Sequence, residues 1–132
     1  MEIAIWQYLL YLKYFGVALV MLTVFALVYT RITPIRELTA IQEGNVACAL
    51  SLSGALVGFC ITLVSSMMQS VGMLSFVIWG LAAAVIQILV YFVATHLVPN
   101  ANQHLENNNI AVGVLFFGLS VSIGILNAAS LS

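Results

Sequence analysis

Long apolar runs separated by three polar connectors set the pattern of the chain. The first run extends from about Tyr11 to Tyr29, the second from Val46 to Met68, the third from Met73 to Leu97, and the fourth from Ile110 to the C-terminus. About 20 apolar residues in helical form cross a hydrocarbon layer of roughly 30 Å, so each run is long enough to span a bilayer. An open sheet would leave backbone polar groups unpaired in lipid. The even alternation of a membrane barrel is absent. The pattern therefore predicts an all-α membrane protein with four transmembrane helices in a single membrane domain, residues 1–132.

The connectors differ in character. Residues 30–45 (TRITPIRELTAIQEGN) hold both arginines, two of the four acids and Pro34. Residues 98–109 (VPNANQHLENNN) are polar but carry no Lys or Arg. Only Gln69-Ser70-Val71-Gly72 separates the second and third runs, a tight hairpin that makes these spans antiparallel neighbours. Lys and Arg collect on cytoplasmic loops. Arg31 and Arg36 thus put both long connectors inside, and both termini and the hairpin on the periplasmic side. Lys13 counts the other way, but it can snorkel to the interface, where Trp6, Tyr8, Tyr11 and Tyr14 form an aromatic belt.

Composition sharpens this picture. The chain is 64% hydrophobic and 5% charged, with a mean hydropathy of +1.18. A soluble domain carries about a quarter charged residues. A formal net charge of -1 leaves no basic patch for nucleic acid. The N-terminus has no basic run and no small-residue cleavage site, so the first run is expected to stay in the membrane. Cys48 and Cys60 lie about 18 Å apart if they share one helix, too far for a disulfide. No Asp, Glu, Lys, Arg or His falls mid-span, where proton-coupled transport usually needs one. His96 and His104 read as an interfacial and a loop histidine. No nucleophile, base or metal set can be assembled, so neither enzymatic activity nor a cofactor is expected.

The two halves read alike, as a tandem repeat of two two-helix units, about 11–68 and about 73–132. A shift of 64 residues aligns Asn45 with Asn109, Ala47 with Ala111, Gly54 with Gly118, Gly58 with Ser122 and Ser65 with Ala129. Pro34 and Pro99 match with one extra residue. Asn45 and Asn109 are expected as N-caps of the second and fourth helices. As caps they would share no partner, and their contributions to stability would add. The sharper alternative places both helix N-termini beside Arg31 and Arg36 as an anion or lipid-headgroup site.

Inside the bilayer, Ser51, Gly54, Gly58, Thr62 and Ser65 form a small, polar stripe on the second helix. Leu52, Leu56, Val57, Phe59, Leu63, Val64 and Met67 form its bulky, lipid-side face. Gly54 and Gly58 allow close helix approach; the alternative is that the stripe lines a hydrated pathway in an oligomer. The third helix presents Phe76, Gly80, Ala84, Gln87, Tyr91 and Thr95. The fourth carries two small faces, Ala111/Gly118/Ser122/Ala129 and Gly113/Ser120/Gly124/Asn127, and so is expected to touch neighbours on two sides, one of them in another subunit. Gln87 and Asn127 are candidates for interhelical hydrogen bonds.

Ile32-Thr33-Pro34, Glu37, Ile41, Gly44-Asn45-Val46-Ala47, Gly54 and Gly58-Phe59 resemble the first half of the YjfL-type family of bacterial inner-membrane proteins, a domain of unknown function numbered three hundred and fifty. Trp79-Gly80, Gln87 and Gly124-Ile125-Leu126-Asn127-Ala128-Ala129 resemble its second half. The likeness covers about residues 14–131. Asn108 stands where the first half has Gly44, and Leu97-Val98-Pro99 replaces Thr33-Pro34. The resemblance implies a small four-span inner-membrane protein without assigned chemistry. Some members are encoded near phage-shock-type membrane-stress proteins, which stand as partners by association alone. The expected function is that of a non-enzymatic, homo-oligomeric component that organises the membrane in envelope stress, in contact with the lipid bilayer. The rival is an oligomeric channel or facilitator for ions or small solutes.

Overall fold

The computed structural model describes residues 5–33, 37–69 and 71–131. Six helices follow in order: α1 (Ile5–Ile32), α2 (Glu37–Gln42), α3 (Val46–Gln69), α4 (Met73–Leu97), α5 (Ala101–Glu106) and α6 (Ile110–Leu131). Four of them, α1, α3, α4 and α6, are long and apolar enough to cross a membrane. Three of these begin where the apolar runs begin. The fourth, α1, starts well before Tyr11, because the aromatic belt continues the helix rather than preceding it. At 1.5 Å per residue, its Lys13–Arg31 stretch measures about 27 Å, close to the hydrocarbon thickness. Both connectors hold a short helix, α2 or α5, that the polar pattern does not announce.

The centre of the bundle is α3, with half of its apolar window buried against 11% for α1. Its closest partner is the parallel helix α6, not its hairpin neighbour α4. The reason is glycine. A Cβ built on Gly113 would lie 2.7 Å from the Ala47 carbonyl oxygen, one on Gly124 2.5 Å from that of Gly58, and one on Gly54 2.6 Å from Phe117 Cα. Gly58 in turn faces the Ser120 carbonyl oxygen. Backbones touch at four levels, close enough for Cα–H groups to point at carbonyl oxygens across the interface.

The bulky face of α3 departs from the expectation. Leu52, Phe59 and Leu63 are buried, whereas Val57 and Val64 are exposed. A central helix meets neighbours on most of its circumference, and α1 and α4 cover what α6 does not. Phe25 of α1 stacks on Phe59 with ring centroids 4.5 Å apart, and Tyr29 meets Tyr91 edge-on at 5.7 Å. Tyr91 continues the chain of rings to Phe116 of α6 at 6.1 Å. Ser66 Oγ donates to the Phe76 carbonyl at 3.3 Å, tying α3 to α4 near the hairpin. Apolar grooves flank α1, one of about 340 Å³ lined in part by Met21, Phe25, Phe59 and Ala84 and one of about 220 Å³ lined in part by Leu19, Leu22, Cys60 and Leu63. Helix α1 is thus the loosest element of the bundle.

Candidate functional site

Two polar clusters stand out, one where the connectors meet and one at mid-bundle. The connector cluster is built on a repeated chain reversal. Helix α2 ends with Asn45 N–H bonded to the Ala40 carbonyl and Gly44 N–H to that of Ile41. Helix α5 ends the same way, with Asn109 N–H bonded to the His104 carbonyl and Asn108 N–H to that of Leu105. This is the Schellman arrangement, which needs one left-handed residue. Gly44 supplies it at φ +88° and Asn108 at φ +60°, which explains how Asn108 can replace Gly44.

The next residue in each case caps the following long helix. Asn45 Oδ1 accepts from Cys48 N–H at 2.9 Å, and Asn109 Oδ1 accepts from Val112 N–H at 3.4 Å. The first cap also reaches the second connector. Asn45 Nδ2 donates to the Leu105 carbonyl at 2.8 Å and to that of Glu106 at 3.2 Å, and Asn108 Oδ1 accepts Ala47 N–H at 3.0 Å. Cys48 Sγ–H also donates to the Leu105 carbonyl, at 3.4 Å. Asn109 Nδ2 turns instead to His104 Nδ1, 3.3 Å away. Tyr91 holds α5 to α4 by donating to Asn102 Oδ1 at 2.6 Å.

These bonds bring the two connectors together, although Asn45 and Asn109 themselves share no hydrogen-bond partner. They also occupy the Ala47 and Cys48 N–H groups of the α3 N-terminus, donors that an anion would otherwise use. Arg31 lies exposed in the last turn of α1. Arg36 lies outside the described residues.

At mid-bundle, Ser51, Gly54, Gly58 and Thr62 are buried and Ser65 is half-buried. Thr62 Oγ1 donates to the Gly58 and Gly124 carbonyls at 3.1 and 3.0 Å, and Ser65 Oγ to the Ala128 carbonyl at 2.7 Å. The stripe is therefore filled by α6 of the same chain. Gln87, fully buried on α4, reaches into this seam. Its Nε2 makes a long bond of 3.4 Å to the Ser120 carbonyl, and its Oε1 has no partner among the described residues. Its amide lies against Gly58, where an added Cβ would come within 2.8 Å of Nε2. Asn127 is half-buried and makes no side-chain hydrogen bond to the described residues. Ala111, Gly118, Ser122 and Ala129 of α6 are exposed. Among the described residues there is no group of three His, Cys, Asp or Glu placed to hold a metal ion.

A helical bundle with four membrane-length spans, a glycine-packed parallel pair at its centre and both long connectors knitted at one end defines the class. The family model described as Domain of Unknown Function (DUF350) matches residues 4–131, and the chain belongs to that family. It is 33% identical over 119 residues to UPF0719 inner membrane protein YjfL of Escherichia coli strain K12, covering 90% of each chain. It is 31% identical over 120 residues to UPF0719 transmembrane protein YshE of Bacillus subtilis strain 168, covering 89% of this chain and 90% of that one. No solved structure matches. Neither relative's name assigns a reaction.

Proposed function

We propose that the chain is a non-enzymatic, homo-oligomeric inner-membrane protein that organises the bilayer around it, in the context of envelope stress. The observation that carries this reading is the use of its polar residues. Thr62, Ser65 and Ser66 bind carbonyl oxygens of their own chain, and Asn45 and Asn108 of the connectors bind backbone groups rather than projecting a reactive centre. What remains outside is apolar: Val20, Val24, Leu81, Val85, Leu89 and Val93 are all exposed, as lipid-facing residues are. The inner-membrane placement is supported by the name of the Escherichia coli relative. Thr62 and Ser65 of the stripe are bonded to helix carbonyls and only the buried Ser51 Oγ lacks a partner among the described residues, so the stripe presents no row of free partners to a solute, which speaks against its lining a pathway.

The test has two arms. Vesicles holding the purified chain are expected to leak protons, potassium and small solutes no faster than empty ones. Flux above that baseline, lost on Thr62→Val, would establish the channel instead. In a host deleted for the chain, the envelope-stress response is expected to rise and to be restored by the wild type but not by Gly58→Leu. An unchanged response would remove the organising role.

A further inference from the structure

One polar atom at mid-bundle is left without a hydrogen bond that its surroundings demand. Gln87 is fully buried, and its Oε1 has no partner among the described residues. It lies about 21 Å from the start of α4 and about 15 Å from its end. Lipid has no donor to offer at that depth, and bulk water does not reach an enclosed atom. An amide oxygen stripped of its hydration is costly there until a donor replaces the lost bond.

The chain holds no spare donor within reach. Turning the amide end for end would set Oε1 against the Ser120 carbonyl, which now accepts Nε2–H at 3.4 Å, and would leave Nε2 unpaired instead. The Thr62 hydroxyl, one turn along α3 from Gly58, is already shared between the Gly58 and Gly124 carbonyls. The Ser51 hydroxyl is two turns away in the other direction, about 10 Å along the helix. Ser51 Oγ lacks a partner too, but a hydroxyl can turn to the carbonyl four residues back in its own helix. An amide oxygen has no such recourse. Ser120 remains: it is buried, with 4% of its surface exposed, and its hydroxyl makes no hydrogen bond to the described residues.

The donor that completes Gln87 is small and uncharged. The backbone of α3 stands directly against the amide, since a Cβ on Gly58 would meet the Ser120 carbonyl and both ends of the Gln87 amide together. Helices α3, α4 and α6 carry no Asp or Glu, so a cation here would be buried without a counter-charge. We propose that a single water molecule is bound in the seam of these three helices, donating one hydrogen to Gln87 Oε1 and bonded through its other groups to the Ser120 hydroxyl. Waters buried in proteins are held in this way, by bonds to polar groups that would otherwise be unpaired. The molecule ties α4 to α6 at the level where their direct bond is long. It has no neighbour to be passed to, because Thr62 and Ser65, on the hairpin side, are committed to carbonyls.

The test is solid-state NMR of the full chain in lipid bilayers, labelled with 15N at glutamine and 13C at serine. Gln7, Gln42, Gln69 and Gln103 are exposed, so their side-chain signals are assigned by single Gln→Ala variants that leave the seam untouched, and the remaining signal is that of Gln87. Magnetisation from water protons is expected to reach the Gln87 amide despite its burial and not to reach Ser51. Ser120→Ala is expected to abolish most of the transfer to Gln87 while keeping the wild-type spectrum elsewhere. Absence of transfer to Gln87 in the wild type would overturn the site, whether or not Ser120→Ala folds. Transfer that Ser120→Ala leaves unchanged would overturn the bridge to Ser120. Transfer that reaches Ser51 as well would overturn the single bound molecule and make the seam a wet path, in favour of the channel.

Discussion

Asn45 and Asn109 have the same local task but different surroundings, and the difference predicts different tolerances. Aspartate caps a helix about as well as asparagine, so the cap alone would forgive Asn→Asp at both positions. At Asn45 the side chain also donates through Nδ2 to the Leu105 and Glu106 carbonyls. An aspartate there sets a carboxylate oxygen against two carbonyl oxygens with no proton between them. The expected cost is about 1–3 kcal/mol, the scale of a buried polar group left unpaired. At Asn109 the contact is His104 Nδ1, and a change of imidazole tautomer supplies the missing donor. Asn109→Asp is therefore expected to keep the wild-type thermal midpoint in detergent, while Asn45→Asp lowers it. Equal midpoints would mean that Nδ2 of Asn45 carries no weight. The caps themselves were legible from Asn before an apolar run. The bridge from Asn45 to Leu105 was not, since nothing local to either connector shows that they meet. One signal was present: Asn108 aligned with Gly44, two residue types that share tolerance of the left-handed conformation.

Among the helices, glycine decides the cost of a substitution by what its missing side chain would meet. Gly124 lies with its Cβ direction 2.5 Å from the Gly58 carbonyl oxygen, a backbone atom that cannot move aside. Gly16 on α1 has nothing within 4 Å. Replacing Gly by Ala in a helix gains up to about 1 kcal/mol of helical propensity where space allows. Gly16→Ala is thus expected to be neutral or stabilising. Gly124→Ala should lose more than the roughly 1–3 kcal/mol typical of overpacking, because helix backbones must separate. Gly58→Leu meets the Ser120 carbonyl and the Gln87 amide together and should unfold the α3–α6 seam. Leu56→Ala, at a half-buried position, should leave the fold intact. Thermal midpoints of the four variants, compared in one detergent, check the order; a Gly124→Ala midpoint at or above that of Gly16→Ala would refute it. The sequence showed which residues of α3 were small, and that face is the packed one. It did not show which of the two small faces of α6 would meet it, because both satisfy the same spacing rule. The bulky residues Leu52, Phe59 and Leu63 were equally ambiguous, since lipid and a neighbouring helix accept the same side chains.

For the molecule as a whole, the apolar runs gave four spans, but not the pairing at their centre. A short hairpin makes α3 and α4 neighbours, and they are. Yet the tightest packing joins α3 to α6, which run parallel and are linked only through α4 and the second connector, so chain order carried no sign of it. The bond from Asn45 to the Leu105 carbonyl fixes both long connectors at the same end. Charge then gives the expected orientation across the membrane. Arg31 closes α1 at that end, Arg36 follows it in the sequence of the first connector, and Lys13 lies about 27 Å from Arg31 along α1. Two arginines against one snorkelling lysine favour a cytoplasmic connector end. Labelling tests this when the probe position is accessible. Ala101, the first residue of α5, is only 3% exposed and would stay unlabelled on either side of the membrane. Asn107 is exposed in the connector and Val71 is fully exposed in the hairpin. In intact cells carrying the Cys48→Ala, Cys60→Ala background, a membrane-impermeant maleimide is expected to modify Val71→Cys at once and Asn107→Cys only after the membrane is opened. The reverse order would invert the protein in the bilayer and leave the fold untouched. Modification of both from outside would contradict the fold itself, because the 24 residues of α3 and the 25 of α4 set hairpin and connectors about 36 Å apart.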